Sequence, residues 1–169
     1  RRSLRLVTQC FADRPALDVA LSQILLQGVA DNTEPETFRL YRPGPVVVFG
    51  PQDARAVGYQ KAVQVSRDWG FDAVQRLAGG RAAVFHRNTI AFAWTNPDPH
   101  NRSTIEDRFQ KVSSFLVSTF RNLGIDARIG EVPGEYCPGR FSVNARGQKK
   151  IAGVGQRVVS GAAHVGGVV

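Results

Sequence analysis

Apolar residues recur every three or four positions in three stretches of the chain, which is the spacing of an amphipathic helix. The predicted helices span residues 13–29, 55–69 and 104–123. Asp13 and Pro15 are start signals for the first helix, and Ser103 with Glu106 predicts a capping box at the third. The third helix carries the clearest apolar stripe, which we interpret as core and not as a cofactor site: Ile105, Phe109, Val112, Leu116, Phe120 and Leu123.

Short apolar runs bounded by glycine, proline and polar residues predict strands around these helices. The runs cover residues 4–11, 37–41, 46–49, 73–77, 82–86 and 89–95, and short glycine-broken strands continue from 130 to 169. The run 46–49 is apolar throughout, which predicts a central strand. Arg87-Asn88 predicts a hairpin turn between the runs 82–86 and 89–95. Strands and helices without strict alternation predict an α+β fold, with a mixed, largely antiparallel sheet flanked by helices.

A chain of 169 residues without a linker or an internal repeat suits one domain, and we expect residues 1–169 to form it. The chain holds no methionine and ends on Gly166-Gly167-Val168-Val169, which is typical of the middle of a strand. We therefore expect this domain to be incomplete at its C-terminus.

The composition is that of an ordinary globular protein, with 43% hydrophobic and 21% charged residues. No apolar run approaches the roughly 20 residues that a membrane span needs, and no signal-peptide pattern is present, so we expect a cytoplasmic protein. Two cysteines do not make a disulfide framework. The histidines are scattered, so no metal site is predicted: His86, His100 and His164.

The formal net charge of +8 favours an acidic partner. Lysine and arginine are nevertheless spread along the chain in runs no longer than two, and no nucleic-acid-binding motif is recognisable. The charge therefore fits an acidic protein domain or an acidic small molecule better than it fits nucleic acid.

Three segments carry residues suited to chemistry. In Arg76–His86, the pair Gly79-Gly80 lets backbone amides approach a ligand, and Arg76 and Arg81 can pair with an anion, although a tight solvated hairpin explains the same residues. In Lys149–Gln156, Lys150 precedes a glycine-broken strand and can aim its ammonium at a carbonyl, although an exposed hairpin lysine is the simpler explanation.

The third segment, Pro133–Gly139, holds Cys137 in a rigid turn between proline and glycine. A thiol becomes a nucleophile as the thiolate, which a nearby cation such as Lys150 or Arg140 favours. An inert loop cysteine is the competing interpretation. Cys10 lies in the predicted strand 4–11, and we expect it to be structural.

Together these segments resemble the lipoate–protein ligase and octanoyltransferase superfamily. Arg76–His86 is similar to its arginine and glycine-pair signature, and Phe49–Gln52 resembles its upstream glycine-to-glutamine turn, one residue shortened. Lys150–Gln156 is similar to its K-I-A-G-x-x-Q segment. Tyr136–Gly139 resembles the cysteine turn of the octanoyl and lipoyl transferases. The resemblance covers roughly residues 46–169.

The resemblance implies the catalytic domain shared by biotin and lipoate ligases, with the acyl chain in an apolar tunnel. Cys137 would carry the acyl group as a thioester, and Lys150 would polarise its carbonyl. The acceptor would be a lysine of an acidic lipoyl domain or of glycine-cleavage H protein, and acyl-carrier protein is a possible donor. No cofactor is implied for this activity. The implied substrate-binding residues are Arg76, Gly79, Gly80, Arg81, Gly153 and Gln156.

Three departures from the ligase pattern bear on the use of ATP and on the site. Gln75 stands where ligases have an arginine, and Arg81 replaces a third glycine typical of ATP-using ligases. His86 falls one residue later than the ligase histidine, which turns its side chain to the other face of a strand, so we leave it out of the site. The alternatives are an ATP- and Mg-dependent lipoate–protein ligase, with lipoate or octanoate as substrate, and a non-catalytic acyl-binding or nucleic-acid-associated relative.

Overall fold

Three helices form at the stretches where the apolar spacing predicts them. In a computed structural model that describes residues 3–98 and 103–169, they are α1 (Ala16–Ala30), α2 (Tyr59–Asp68) and α3 (Ile105–Asn122). A short 3-10 turn at Asp53–Arg55 precedes α2, and Ala56 is extended after it, so α2 begins later than predicted. None of the helices in the described ranges is long and apolar enough to cross a bilayer.

The capping box of α3 lies one residue beyond the predicted pair. Thr104 has an extended backbone and its Oγ1 accepts a hydrogen bond from the backbone N of Asp107 at 3.0 Å. The Asp107 carboxylate accepts the backbone N–H of Thr104 at 2.9 Å in return. Within the apolar stripe, Val112 and Leu116 are buried, whereas Ile105 and Leu123 are exposed at the two ends of the helix.

Ten strands form two sheets within residues 3–98 and 103–169. The first sheet has seven strands in the order β1-β2-β6-β10-β9-β8-β7, and the second has three in the order β4-β3-β5. Only the pairs β1–β2 and β3–β4 are parallel among the pairs described, so the predicted α+β fold with a mixed, largely antiparallel sheet is confirmed. The strands are β1 (Arg5–Val7), β2 (Thr37–Tyr41), β3 (Val46–Phe49), β4 (Asp72–Gln75), β5 (Ala83–Phe85), β6 (Ala91–Asp98), β7 (Ala127–Ile129), β8 (Val143–Ala145), β9 (Lys149–Val159) and β10 (Gly161–Val168).

Two strand predictions are wrong. β5 and β6 do not form a hairpin, because a turn closed by the N–H of Thr89 on the carbonyl of His86 (2.8 Å) passes the chain from one sheet to the other. The first strand ends at Val7, so Cys10 lies outside it and is exposed. The apolar run of β3 is central in its sheet, as predicted.

The core has two parts that hold the strands of the site. Helix α3 packs on β7, β8, β9 and β10 around Val112, Leu116, Val143 and Val165. The small sheet packs through Val46, Val48 and Phe85 against Ala91 at the beginning of β6. The small sheet therefore lies beside the ends of β6 and β10, and this arrangement opens the groove described below.

A buried ion pair ties α1 to β2. Arg39 has a side chain only 1% exposed, and its Nη2 lies 2.7 Å from Oδ1 of Asp18, which is 4% exposed. Nη1 of Arg39 also donates to the carbonyl of Asp18 and to Oγ of Ser22. A buried charge is tolerated only when it is paired and hydrogen-bonded, so each partner depends on the other.

Replacement of Arg39 by methionine should therefore destabilise the domain strongly. The substitution leaves the Asp18 carboxylate buried without its cation, and we expect a loss of about 3–5 kcal/mol. The free energy of unfolding in urea measures it. Arg42→Met is the matched control, because Arg42 is exposed, and it should change stability by less than about 0.5 kcal/mol. Equal losses in the two variants would refute the structural role of the pair.

Candidate active site

An open groove of about 1060 Å³ separates the small sheet from the beginning of β9. Three segments line it: residues 79–81, which we call the glycine bend; residues 132–142, which we call the cysteine loop; and residues 148–155. Apolar side chains supply further lining, among them Val84, Phe109, Ile151, Val154 and Val168. The groove therefore brings together segments that are up to 76 positions apart in the chain.

Arg76 closes the glycine bend. One of its guanidinium nitrogens donates to the carbonyls of Gly79 (2.9 Å) and Arg81 (2.7 Å). Burial lowers the pKa of Arg76 below its ordinary value, an effect that Cys137 and Asp53 partly oppose. Its Nε is buried and has no hydrogen-bond partner within the described residues. Arg76 thus shapes the bend through its hydrogen bonds to two carbonyls.

Two neighbouring glycines let backbone approach the bend closely. An added Cβ at Gly50 would lie 1.9 Å from the carbonyl oxygen of Gly80. At Gly155 it would lie 3.0 Å from the carbonyl oxygen of Gly79. Distances this short exclude a side chain at Gly50 unless the bend moves. The glycine-to-glutamine turn and β9 therefore hold the bend from two sides.

Cys137 lies at the apex of the cysteine loop in a left-handed conformation, with φ of +49°. This conformation costs a non-glycine residue roughly 1 kcal/mol and persists where the surroundings enforce it. The side chain is half-buried, and its Sγ accepts a hydrogen bond from the backbone N of Arg81 at 3.4 Å. A main-chain donor beside a nucleophile is suited to stabilising charge that develops on a reacting carbonyl oxygen.

The Lys150 ammonium is bound to the cysteine loop. Its Nζ donates to the carbonyls of Cys137 (2.7 Å) and Tyr136 (3.1 Å), and to Oε1 of Glu135 (3.1 Å). Lys150 stands at the start of β9, and an added Cβ at Gly153 would lie 3.4 Å from its Cε. The predicted pair of thiol and ammonium is thus brought to one end of the groove.

Glu135 is a residue of the site that the sequence patterns did not single out. Its side chain is 1% exposed, and its carboxylate accepts hydrogen bonds from Val132 N (2.8 Å), Gly139 N (3.1 Å), Ser142 Oγ (2.8 Å) and Lys150 Nζ. Burial by itself raises the pKa of Glu135, but the hydrogen bonds outweigh it and hold the pKa below its ordinary value. The only sequence signal was its place two residues before the cysteine.

Asp53 is the second residue that sequence reasoning missed. Its carboxylate accepts the backbone N–H of Gly50 at 3.0 Å and lies 3.3 Å from the guanidinium of Arg81. The Arg81 side chain is 57% exposed, so this ion pair is a weak one in water. Arg81 thus offers its backbone to the thiol and its side chain to the rim of the groove.

Gln156 is the one predicted site residue that does not line the groove. Its Nε2 donates to the carbonyl of Ile105 (2.9 Å), and its Oε1 accepts from Nε of Arg108 (2.8 Å). These bonds attach β9 to the start of α3. The other seven predicted residues all line the groove: Arg76, Gly79, Gly80, Arg81, Cys137, Lys150 and Gly153.

A small cavity of about 70 Å³ lies beneath the bend, and Arg76 lines both this cavity and the groove. Its lining combines apolar side chains, among them Val46, Val48, Phe85 and Phe92, with the polar side chains of Asp18, Ser22, Tyr41 and His164. Burial raises the pKa of Tyr41 to about 12. Burial, aided by the charge of Arg39, lowers the pKa of His164 to about 4. Both side chains are therefore neutral at physiological pH.

Metal ligands do not cluster in the part of the chain that the structure describes. His100 lies outside the described residues. Nδ1 of His86 accepts the backbone N–H of Asn88 at 3.2 Å in the turn after β5, and His86 is not among the residues that line the groove.

Residues 14–169 match the family model of the lipoyl protein ligase A/B catalytic domain. The chain belongs to this family. The resemblance drawn from the sequence is thereby confirmed, and the groove lies where the family's motifs meet.

The family's curated members include two similar proteins described as octanoyl-GcvH:protein N-octanoyltransferase. The protein of Geobacillus kaustophilus is 28% identical over 146 residues, which is 86% of this chain and 50% of the relative. The protein of Oceanobacillus iheyensis is 29% identical over 140 residues, which is 83% of this chain and 50% of the relative. The chain spans about half the length of these curated relatives.

Solved structures of the family share the fold. A crystal structure of lipoate-protein ligase A bound with ATP superposes with a TM-score of 0.81 at 20% identity, over 98% of this chain and 65% of that protein. A likeness at this level of identity establishes the fold.

The neutral histidine beneath the bend predicts how stability of this lipoyl ligase-family domain depends on pH. Unfolded His164 takes up a proton below its ordinary pKa of 6.5, whereas the folded protein takes it up only near pH 4. The unfolded state therefore binds more protons in this interval, and stability falls as pH is lowered from 6.5 to about 4. A shift of this size corresponds to about 3 kcal/mol.

Unfolding in urea at several pH values measures this dependence in the wild type and in His164→Gln. The variant should lose about 3 kcal/mol less than the wild type over the interval. His86→Gln, which removes a histidine that does not line the cavity, is the matched control. Parallel curves for wild type and His164→Gln would contradict the assignment.

Proposed function

We propose that this domain transfers octanoyl or lipoyl groups through a thioester on Cys137. The observation that carries the proposal is the surroundings of the thiol. Cys137 stands at the apex of the cysteine loop in a left-handed conformation. Its Sγ accepts a hydrogen bond from the N–H of Arg81, and the Lys150 ammonium donates to the carbonyl of Cys137. An inert cysteine needs none of these contacts.

The proposed reaction has two steps, and the acyl group remains activated as a thioester between them. In the first, Sγ of Cys137 attacks the acyl carbonyl of the donor, the bond to the donor breaks, and the thiol proton passes to the leaving group. In the second, the amine of an acceptor lysine attacks the thioester carbonyl, a C–N bond forms, the C–S bond to Cys137 breaks, and the amine gives a proton to the departing sulfur. The N–H of Arg81, which is bonded to Sγ, and the ammonium of Lys150, which is bonded to the carbonyl of Cys137, would stabilise the developing oxyanion.

The acyl chain would lie along the apolar lining of the groove and reach the cavity beneath the bend. Val84, Ile151, Val154 and Val168 provide a wall for the chain near the thiol. Arg76 borders both spaces, so a displacement of its side chain would join them. Burial of an aliphatic chain contributes about 0.8 kcal/mol per methylene, which favours a long acyl group over a short one.

The relatives suggest the partners. Their names describe a protein that acts with octanoyl-GcvH, so glycine-cleavage H protein is the proposed donor or acceptor, and lipoyl domains and acyl-carrier protein are further candidates. The net charge of +8 favours an acidic protein of this kind. Lys149 and Arg140 are exposed at the groove and suit such a contact, although Arg140 also pairs with Glu106.

We propose that the transfer needs no ATP. A thioester donor is already activated, so no acyl adenylate is required. The side chain after the glycine pair is Arg81 paired with Asp53, which agrees with the departure from the ATP-using ligases in the sequence. The ATP-dependent ligase reaction is the alternative, and it predicts that Cys137 is dispensable.

Mass spectrometry of the intact protein tests the thioester. After incubation with octanoyl-carrier protein and no ATP, the wild type should gain one octanoyl group, which hydroxylamine removes because the bond is a thioester. Cys137→Ala should gain none, and its transfer to a lipoyl domain should fall on the order of a thousandfold or more.

Cys10→Ala is the matched control, because Cys10 is the other cysteine of the chain and is exposed. It should be acylated like the wild type. ATP-dependent modification of a lipoyl domain that survives Cys137→Ala would replace the proposal with the ligase reaction. Failure of both activities would favour an acyl-binding relative without catalysis.

A further inference from the structure

We propose that Glu135 is a positioning residue for acyl transfer, whose buried carboxylate holds both Cys137 and Lys150 in place. The inference rests on the proposed transfer through Cys137. It assigns a role to Glu135, a residue of the cysteine loop whose side chain is only 1% exposed.

The carboxylate joins the two ends of the cysteine loop. Oε2 accepts the N–H of Val132, where the loop begins, and Oε1 accepts the N–H of Gly139 and the hydroxyl of Ser142, where it ends. Cys137 lies between these anchors in the left-handed conformation. Because both ends of the loop are hydrogen-bonded to one carboxylate, the backbone between them is restricted. This restriction keeps Cys137 in the left-handed conformation, which a loop without these bonds would not maintain.

The same carboxylate binds the ammonium. A lysine has three N–H donors, and Lys150 uses them on Cys137 O, Tyr136 O and Glu135 Oε1. To donate to an acyl carbonyl, the ammonium must release one of the two backbone carbonyls. The charged bond to Glu135 is the one that keeps Nζ at the groove while this exchange takes place, because hydrogen bonds between charged groups are the stronger kind.

Four donors converge on Glu135, and this number explains why the carboxylate form is required. Burial of a carboxylate is costly unless its oxygens are hydrogen-bonded, and here both are. A glutamine can place its oxygen at one of the two positions only. Its NH₂ group would then face either the N–H of Val132 or the three donors at Oε1, and a contact between donors would result.

Glu135 acts through its neighbours and not on the substrate. The donors on its oxygens are backbone amides, a hydroxyl and an ammonium, and the Cys137 thiol is bonded to Arg81 instead. A role as the base that deprotonates the thiol is therefore not part of the inference.

The test measures transfer by the full chain in Glu135→Gln, with Glu131→Gln as the matched control. Glu131 is an exposed carboxylate just before the loop, and its variant should behave as wild type. For Glu135→Gln we expect kcat to fall on the order of a hundredfold, with KM changed less than about threefold, because misplaced reacting groups affect the chemical step. In a Cys10→Ala background, the rate at which iodoacetamide alkylates Cys137 should differ from the wild-type rate in Glu135→Gln and should equal it in Glu131→Gln.

A double-mutant cycle with Lys150→Gln separates positioning from general loss of structure. Because Glu135 acts partly through Lys150 and partly through the cysteine loop, the loss of kcat in the double variant should be smaller than the product of the two single losses, whereas fully independent effects would multiply. Multiplied effects, or an unchanged kcat in Glu135→Gln, would overturn the inference. Glu135→Asp is a second variant that keeps the charge, and recovery of part of the lost kcat would support the inference even where Glu135→Gln unfolds.

Failure of this inference is distinguishable from failure of the transfer reaction. If Cys137→Ala is inactive while Glu135→Gln transfers as fast as wild type, only the role of Glu135 is wrong. If Cys137→Ala transfers normally, the thioester itself is wrong, whatever Glu135 does.

Discussion

The site depends on the close approach of backbone to backbone at the glycine bend. The carbonyl oxygen of Gly80 lies where a side chain at position 50 would stand, and the carbonyl of Gly79 lies against Gly155 of β9. The absence of a Cβ at Gly50 lets the turn after β3 pack on the bend, and its absence at Gly155 lets β9 of the large sheet approach the bend closely. Because the bend is held from both sides, the N–H of Arg81 is directed at the sulfur of Cys137, 56 positions further along the chain.

Buried charge provides the second constraint, and it is satisfied in the same way at two places. Arg39 pairs with Asp18 beneath α1, and Lys150 pairs with Glu135 beneath the cysteine loop. In both pairs further hydrogen bonds stabilise the charges, as a low-dielectric environment requires, although Nε of Arg39 has no partner within the described residues. The first pair joins two elements of the fold. The second lies at the groove, where the same physics holds reacting groups in position.

Much of the fold was predictable, because helices and apolar strands carry local signals. The stripe of Val112 and Leu116 and the apolar run of β3 were recognised from spacing alone. The hairpin prediction, which depended on long-range strand pairing, was wrong. The turn after His86 is as short as a hairpin turn, but β5 pairs with β3 and not with β6. The packing between the two sheets, and not the length of the turn, determines which strands pair. The predicted capping box was one residue too early, because serine and threonine are both suitable N-cap residues and Ser103 and Thr104 are adjacent.

By itself the sequence determined which residue types were available for chemistry: a thiol between proline and glycine, a glycine pair with arginines, and a lysine before a glycine-broken strand. These are local features, so the amino-acid sequence alone shows them. Only the tertiary structure decided which of them meet. It placed Lys150 on the carbonyl of Cys137, turned Gln156 to α3 and away from the groove, and gave Glu135 its four donors. Such contacts join distant segments, and no spacing along one chain encodes them, because they arise from the packing of sheets against each other.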